Sequence, residues 1–304
     1  MSSARPALRA ATRASELARW QTNHVGELLG REIEPVVVDT TGDRRGEVPI
    51  WEIGGQGVFV KEVQAAVLDG RADVAVHSAK DLPSAPTAGL ALAAVPERDD
   101  PRDALVGSTL DALSTGAVVA TGSVRRRAQL AWARPDLTFA SLRGNIATRL
   151  AKAPRYDAVL VALAALRRLG RADLVGEALD PALMLPQVSQ GALAVECRLD
   201  DEVTLAALAA IDHAPSRRAV EAERAFLAEL GGSCDLPVAA HARLLDGDGL
   251  ELAGMVSSLD GRVMLRQSAS GPEPQALGRS LARHLLDDCG GQAVLDDLAG
   301  TGAP

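Results

Sequence analysis

The stretch Asp73-Val74-Ala75-Val76-His77-Ser78-Ala79-Lys80-Asp81-Leu82-Pro83 is an apolar run that breaks into polar residues and then a proline. It reads as a strand covered on both faces that stops abruptly. Toward the N-terminus, short apolar runs at 7–11 and 35–39 alternate with helical patterns near Glu16 to Leu29 and Val58 to Leu68. That alternation predicts a parallel α/β sheet. Residues 40–57 are rich in glycine and charge and have no clear period, which predicts a mobile loop able to act as a lid.

Beyond Pro83 the segment ERDDPRD at 97–103 reads as a crossover, after which apolar runs at 117–120, 137–140 and 158–161 predict a second α/β domain. The run from Gly191 to Arg198 is a further strand, suited to return the chain to the first sheet. A helical pattern from Pro215 to Leu230, strand patterns at 237–245, 250–256 and 263–267, and a helix near Gln275 to Asp288 then predict a small α+β domain. The expected division is residues 1–96 with 191–211, residues 97–190, and residues 212–304. A chain of 304 residues is longer than one core usually serves, which suits this reading.

Composition narrows the class. Hydrophobic residues at 47% and charged residues at 24% match an ordinary globular protein. The longest apolar run, Ala158 to Leu166, is too short for a bilayer, and the first residues lack a signal-peptide pattern. A cytoplasmic protein, with no membrane partner, is expected. Cys197, Cys234 and Cys289 are odd in number and far apart, against a disulfide framework or a zinc cluster, and the five histidines lack ligand spacing, so no metal is expected. The net charge is -8, yet residues 121–171 hold eleven Lys or Arg against Asp136 and Asp157. A local excess of +9 in an acidic chain points to a specific anionic ligand. With few aromatics in that region, nucleic acid is not expected as a partner.

Several residues are placed to bind that ligand. Strand carboxyl ends face the crevice of an open α/β sheet, which makes Lys80 and Asp81 candidates, although a turn aspartate beside a solvated lysine has the same appearance. His77, Ser78 and Asp81 do not form a triad, because adjacent strand residues point to opposite faces. The segment TGSVRRR at 121–127 follows a strand and opens a helix. Its free N–H groups, the hydroxyls of Thr121 and Ser123, and Arg125 and Arg126 would make a carboxylate or phosphate cradle. Arg143 in SLRGN at 141–145 and Arg149 stand at the next strand end. Cys234 lies in the glycine-rich loop LGGSCDLP at 230–237, accessible enough for an attachment or catalytic thiol. A buried, inert thiol is the usual alternative for a single cysteine, and Cys197 and Cys289 fit it better.

Together ATRAS (11–15), VHSAKD (76–81), ERDDPRD (97–103), SLRGN (141–145), QGALAVECR (190–198) and the cysteine loop resemble hydroxymethylbilane synthase, also called porphobilinogen deaminase, across nearly the whole chain. The resemblance implies two periplasmic-binding-protein-like α/β domains plus a small C-terminal α+β domain. It implies an enzyme that joins four porphobilinogen units head to tail, releasing ammonia at each, and hydrolyses the product to hydroxymethylbilane. By motif, Cys234 would carry the dipyrromethane cofactor as a thioether, and Asp81 would stabilise the cation left when ammonia departs. Lys80, Ser123, Arg125, Arg126 and Arg149 would hold the cofactor, while Arg13, Ser15, Thr121, Arg143, Arg168 and Gln190 would contact substrate. A monomer is expected. The pattern departs from relatives at Thr41, Glu52 and Gln56, where basic residues are usual, at Gly122, where serine is usual, and at Ser189, where glycine is common. The competing function is a non-catalytic, two-lobed binding protein for a polycarboxylate, which would need neither Cys234 nor Asp81.

Overall fold

The computed structural model describes residues 7–44, 57–231 and 236–300. Three sheets organise them. The first lobe contains β1 (Leu8–Arg13), β2 (Ile33–Val38), β3 (Val74–Ser78) and β4 (Leu90–Ala94). The second contains β5 (Asp103–Val106), β6 (Val118–Ala120), β7 (Thr138–Ala140), β8 (Ala158–Ala162) and β9 (Val175–Ala178), after which β10 (Leu193–Arg198) returns to the first sheet. The orders are β2-β1-β3-β10-β4 and β7-β6-β8-β5-β9.

The two sheets share one plan. In each, three parallel strands are followed by a strand that runs antiparallel to its neighbours. That reversed strand, β10 in one sheet and β5 in the other, is the one entered directly after the chain crosses between lobes. The central strands are buried throughout, as β8 shows with all five residues enclosed, so they read as continuous apolar runs rather than alternating ones.

Local chemistry sets the ends of the elements. The helix Glu16–Leu29 begins at Ser15, whose Oγ accepts from the Ala18 N–H at 3.3 Å. It ends at Gly30, whose φ of 57° lets its own N–H donate to Glu27 O and that of Arg31 to Gly26 O. The observed helix coincides with the expected one. By contrast, the helix expected from Val58 starts at Lys61, and within the expected loop residues Thr41–Arg44 form a helical turn. Glu52 and Gln56 lie outside the described residues.

The third domain is an antiparallel meander of β11 (Val238–Leu244), β12 (Leu250–Ser257) and β13 (Met264–Gly271). Helices Ala214–Glu229 and Pro274–Arg283 cover one face around the fully buried Phe226. They approach closely at Gly278, where a Cβ would come within 2.2 Å of the Ala222 carbonyl oxygen. The α-helix expected to continue to Asp288 gives way to a π-helical turn at His284–Asp288, and a further helix, Gly291–Gly300, follows. No helix among the described residues is long and apolar enough to cross a membrane.

Candidate functional site

At the end of β3 the chain makes a single 3-10 turn, Ala79–Asp81. Burial of Ala79 and the bond from its N–H to Ala192 O at 3.0 Å pin this turn to the start of β10. Arg224, from the third domain, donates to the carbonyls of Pro83 and Ser84 and fixes the exit. Lys80 and Asp81 are thereby held on short backbone. Lys80 Nζ donates to Gln190 Oε1 at 3.2 Å. The half-buried Asp81 carboxylate accepts no hydrogen bond from the described residues, which leaves both oxygens for N–H donors of a ligand. His77 lies 3.0 Å from Glu196 Oε2 inside the first lobe, so the segment forms no triad.

Arg13 ends β1 and Ser15 follows it, both lining the same cavity as Lys80 and Asp81. Arg13 Nε donates to Asp43 Oδ2 at 3.0 Å, and its guanidinium lies 4.3 Å from the Phe59 ring centroid. Burial raises the Asp43 carboxyl, but Arg13 and Thr40 outweigh it and hold the group below its ordinary value. Arg13, Ser15, Gln21, Phe59, Lys80 and Asp81 line one cavity of about 100 Å³. A larger, open depression of about 610 Å³ lies on the third domain and shares none of these residues; the small cavity is the one that meets the strand ends.

The second lobe supplies the cations. Ser123 caps the helix Val124–Ala133, its Oγ accepting from Arg126 N at 3.4 Å, and Thr121 Oγ1 accepts from Ser123 N at 3.2 Å. The expected open cradle is more enclosed than the sequence suggests. Arg125 and Arg126 are 3% and 4% exposed and converge on Asp103, a fully buried carboxylate at the start of β5. Arg125 Nη2 reaches Asp103 Oδ2 at 2.7 Å, and Arg126 Nη2 and Nε reach Oδ1 at 2.7 and 3.0 Å. Gln190 Nε2 adds a fourth donor at 2.8 Å. Burial alone would raise the Asp103 carboxyl; the two arginines, joined by the bonds from Arg126 and Gln190, hold it far below the carboxylate range instead.

Arg143 and Arg149 extend the positive surface. Arg149, on the helix Ile146–Lys152, donates through Nε to Gly144 O at 2.8 Å, and its terminal nitrogens meet no hydrogen-bond acceptor among the described residues. Burial brings its guanidinium down to about 10, with Arg126 and Arg143 pushing the same way and Asp81 opposing. Lys80 is likewise brought down to about 8, by burial first and by Arg126 and Arg125, against the pull of Asp81 and Asp103. Lys80, Asp81, Arg125, Arg126, Arg143 and Arg149, from both lobes, therefore share one field. Cations outnumber carboxylates there, so a ligand with several carboxylates is the species that relieves the repulsion.

Arg168 is placed differently. It donates to Gly191 O, lies 3.6 Å from Asp99 Oδ2 and 5.7 Å from the Trp20 ring centroid, on the crossing between lobes. Beside it, Arg98 donates to Gln190 O at 2.8 Å and pairs at 2.6 Å with the fully buried Glu223 of the third domain. Glu223 also accepts from Ser189 N and Ala242 N. Gln190 thus stands where all three sheets' supports meet. Cys234 lies outside the described residues. Cys197 is an inert strand thiol, its pKa pushed up to about 11, first by burial and then by Asp201. Among the described residues no cluster of His, Cys, Asp and Glu could hold a metal ion.

Sequence reasoning overlooked Asp103, Arg98, Glu223 and Phe59. An acid opening the apolar run Asp103-Ala104-Leu105-Val106 was the available signal for the first.

The chain is similar to known proteins over nearly its whole length. Residues 8–206 match the family described as porphobilinogen deaminase, dipyromethane cofactor binding domain, and residues 217–287 match porphobilinogen deaminase, C-terminal domain. Porphobilinogen deaminase of Trichlorobacter lovleyi is 45% identical over 302 residues, covering 96% of this chain and 96% of that protein. Its counterpart in Geobacter sulfurreducens is 44% identical, covering 96% and 94%. Among solved structures, the BvgS periplasmic VFT2 domain of Bordetella pertussis is 18% identical, with a TM-score of 0.36, covering 68% of this chain and 86% of that one. With both family domains matched in order and nearly the full length shared with these relatives, the chain belongs to the porphobilinogen deaminase family.

Proposed function

We propose that this chain works as a hydroxymethylbilane synthase in the cytoplasm, as a monomer, with Asp81 as its catalytic residue and Cys234 as the anchor of a dipyrromethane cofactor. The reaction joins four porphobilinogen units head to tail with loss of ammonia, then hydrolyses the chain. The observation that carries the residue assignment is a single unbonded carboxylate, Asp81, facing a cation-rich wall that includes Lys80, Arg126 and Arg149.

Each pyrrole ring brings two carboxylates, and the wall can neutralise them. Lys80, Ser123, Arg125, Arg126 and Arg149 hold the cofactor's carboxylates in this reading, and Arg13, Thr121, Arg143 and Gln190 those of the incoming unit. Ser15 acts by setting the helix that follows Arg13, and Arg168 by bridging the lobes. When bound, the dipyrromethane supplies the carbon on which chain growth begins. Asp81 accepts a pyrrole N–H and stabilises positive charge that develops on substrate as ammonia leaves; a preorganised carboxylate does most where charge appears only during reaction. In this reading the domains are 1–96 with 191–211, 97–190, and 212–304.

A binding protein without chemistry needs the cations but not Asp81 or Cys234, and the test uses that difference. Purified wild type should carry a dipyrrole mass increment that Cys234→Ala abolishes along with activity. Asp81→Asn should keep the increment and fold while lowering kcat far more than it raises KM. An active wild type of unmodified mass, or near-wild-type kcat in Asp81→Asn, would sink the assignment.

A further inference from the structure

Among the described residues Asp103 is the one carboxylate that is fully buried and bonded to two arginines. A buried carboxylate surrounded by cations would serve the fold alone if its partners led nowhere else. Here one of them, Gln190, leads on to Lys80, which lines the cleft. Arg125 and Arg126 come from the helix after β6, and Gln190 from the segment that returns the chain to the first lobe. Gln190 is used at both ends: Nε2 donates to Asp103 Oδ1 at 2.8 Å and to Pro101 O at 2.8 Å, while Oε1 accepts from Lys80 Nζ at 3.2 Å. The first of these bonds settles which end of the amide faces Lys80, because a carboxylate can only accept.

We propose that Asp103 is the positioning residue of the cleft: through Arg125, Arg126 and Gln190 it sets the second lobe's guanidinium groups and the Lys80 ammonium in one fixed constellation before any ligand arrives. This rests on the proposed function, in which those groups hold carboxylates of the growing chain. The physical gain is preorganisation. Two adjacent arginines inside a low-dielectric wall would otherwise repel each other and turn toward solvent, and a ligand would have to gather them at its own cost. Asp103 removes that repulsion, and the bonds from Arg125 Nη1 to Leu185 O at 2.7 Å and from Arg126 Nη1 to Leu160 O at 3.2 Å fix the two guanidiniums from the other side. Its charge also reaches Lys80. The groups acting on that ammonium are Asp81 from its own turn, Asp103 from β5, and Arg125 and Arg126 from the helix. Asp103 favours the protonated form, so it keeps Lys80 cationic in a place where burial and two arginines work against it.

Asp103→Asn keeps the shape and removes the charge. Its expected effects are a loss of about 100-fold in kcat/KM for porphobilinogen, from misplacement of the binding groups, and a shift of the basic limb of the pH profile. The sign follows from Lys80. In wild type the ammonium is lost as pH rises through about 8; without the nearby anion it is lost at lower pH, so the limb must move down. A carboxylate that only stabilised the fold would lower the unfolding midpoint and leave that limb where it is. Gln190→Met is the second variant, read if Asp103→Asn does not fold: it removes the Lys80 acceptor without touching the arginine pairs, and the limb should again move down. A folded variant with the wild-type pH limb and unchanged kcat/KM would overturn the proposal. Wild type is measured alongside: if it lacks the covalent mass increment or does not turn over porphobilinogen, the functional reading fails, and that result is distinct from a variant that merely matches an active wild type.

Discussion

Replacing Ser189 by glycine should make the protein more stable, the opposite sign to most changes in a packed interior. Ser189 holds φ at 61° with no exposed surface, and the left-handed conformation costs an L-residue about 1 to 2 kcal/mol. Its Oγ is buried without a hydrogen-bond partner among the described residues, which adds a cost of about 1 to 3 kcal/mol. Two terms oppose the change. Glycine gives the unfolded chain about 0.4 to 1 kcal/mol more freedom, and loss of the buried methylene removes about 0.8 kcal/mol of transfer free energy. The balance favours glycine by about 2 kcal/mol. The bond from the residue 189 N–H to Glu223 Oε2 at 2.6 Å is a backbone contact and is kept. Urea unfolding of wild type and variant, followed by circular dichroism, measures the difference: the midpoint should rise at unchanged slope. An equal or lower midpoint would refute the reasoning, because it would mean that neither the backbone conformation nor the orphaned hydroxyl carries the cost assigned to it.

Two further outcomes are expected. Arg98→Leu strands the Glu223 carboxylate, which has no exposed surface, and should cost about 3 to 5 kcal/mol in the same unfolding assay; adding Glu223→Gln should recover part of it, since the stranded charge is gone, and only part, since Ser189 N and Ala242 N bond different carboxylate oxygens and the amide keeps one acceptor. Gly122→Ser, the residue usual in relatives, would place a Cβ 2.5 Å from the Leu142 carbonyl oxygen and 3.3 Å from Arg143 Nη1. It should destabilise by about 1 to 3 kcal/mol and raise KM through the displaced Arg143, and a variant equal to wild type in both would show that the loop accommodates serine freely.

Elements with strong local signals were legible in the sequence. Helix Glu16–Leu29 carries its own caps in Ser15 and Gly30, and β10 reads as a buried strand from composition alone. The segments missed were β4, β5 and β9. The first, Leu90–Ala94, is three alanines and two leucines, a composition with little strand preference. The second hides inside an apparent turn because it begins with Asp103, and the third is four residues long and half-exposed. At the site, motif resemblance found Lys80, Asp81 and the arginines, but not what the arginines do when no ligand is present. Asp103 lies 22 and 23 residues from its arginine partners and Glu223 lies 125 from Arg98. Pairings of that range leave no periodic trace, since only the folded sheets bring them together.

The late return of β10 to the first sheet has a consequence for synthesis on the ribosome. β3 and its partner β10 are separated by about 120 residues, which at common elongation rates of about 5 to 20 residues per second delays their meeting by about 6 to 24 seconds. Until then the apolar flank of β3 has no neighbour, and the first-made sheet exposes an open edge of the kind that invites aggregation. The second lobe has no such gap, because its five strands run without interruption from Asp103 to Ala178. The lobe translated second is thus the first that can complete its sheet, and the nascent first lobe is the part of this chain that most needs a chaperone's shelter.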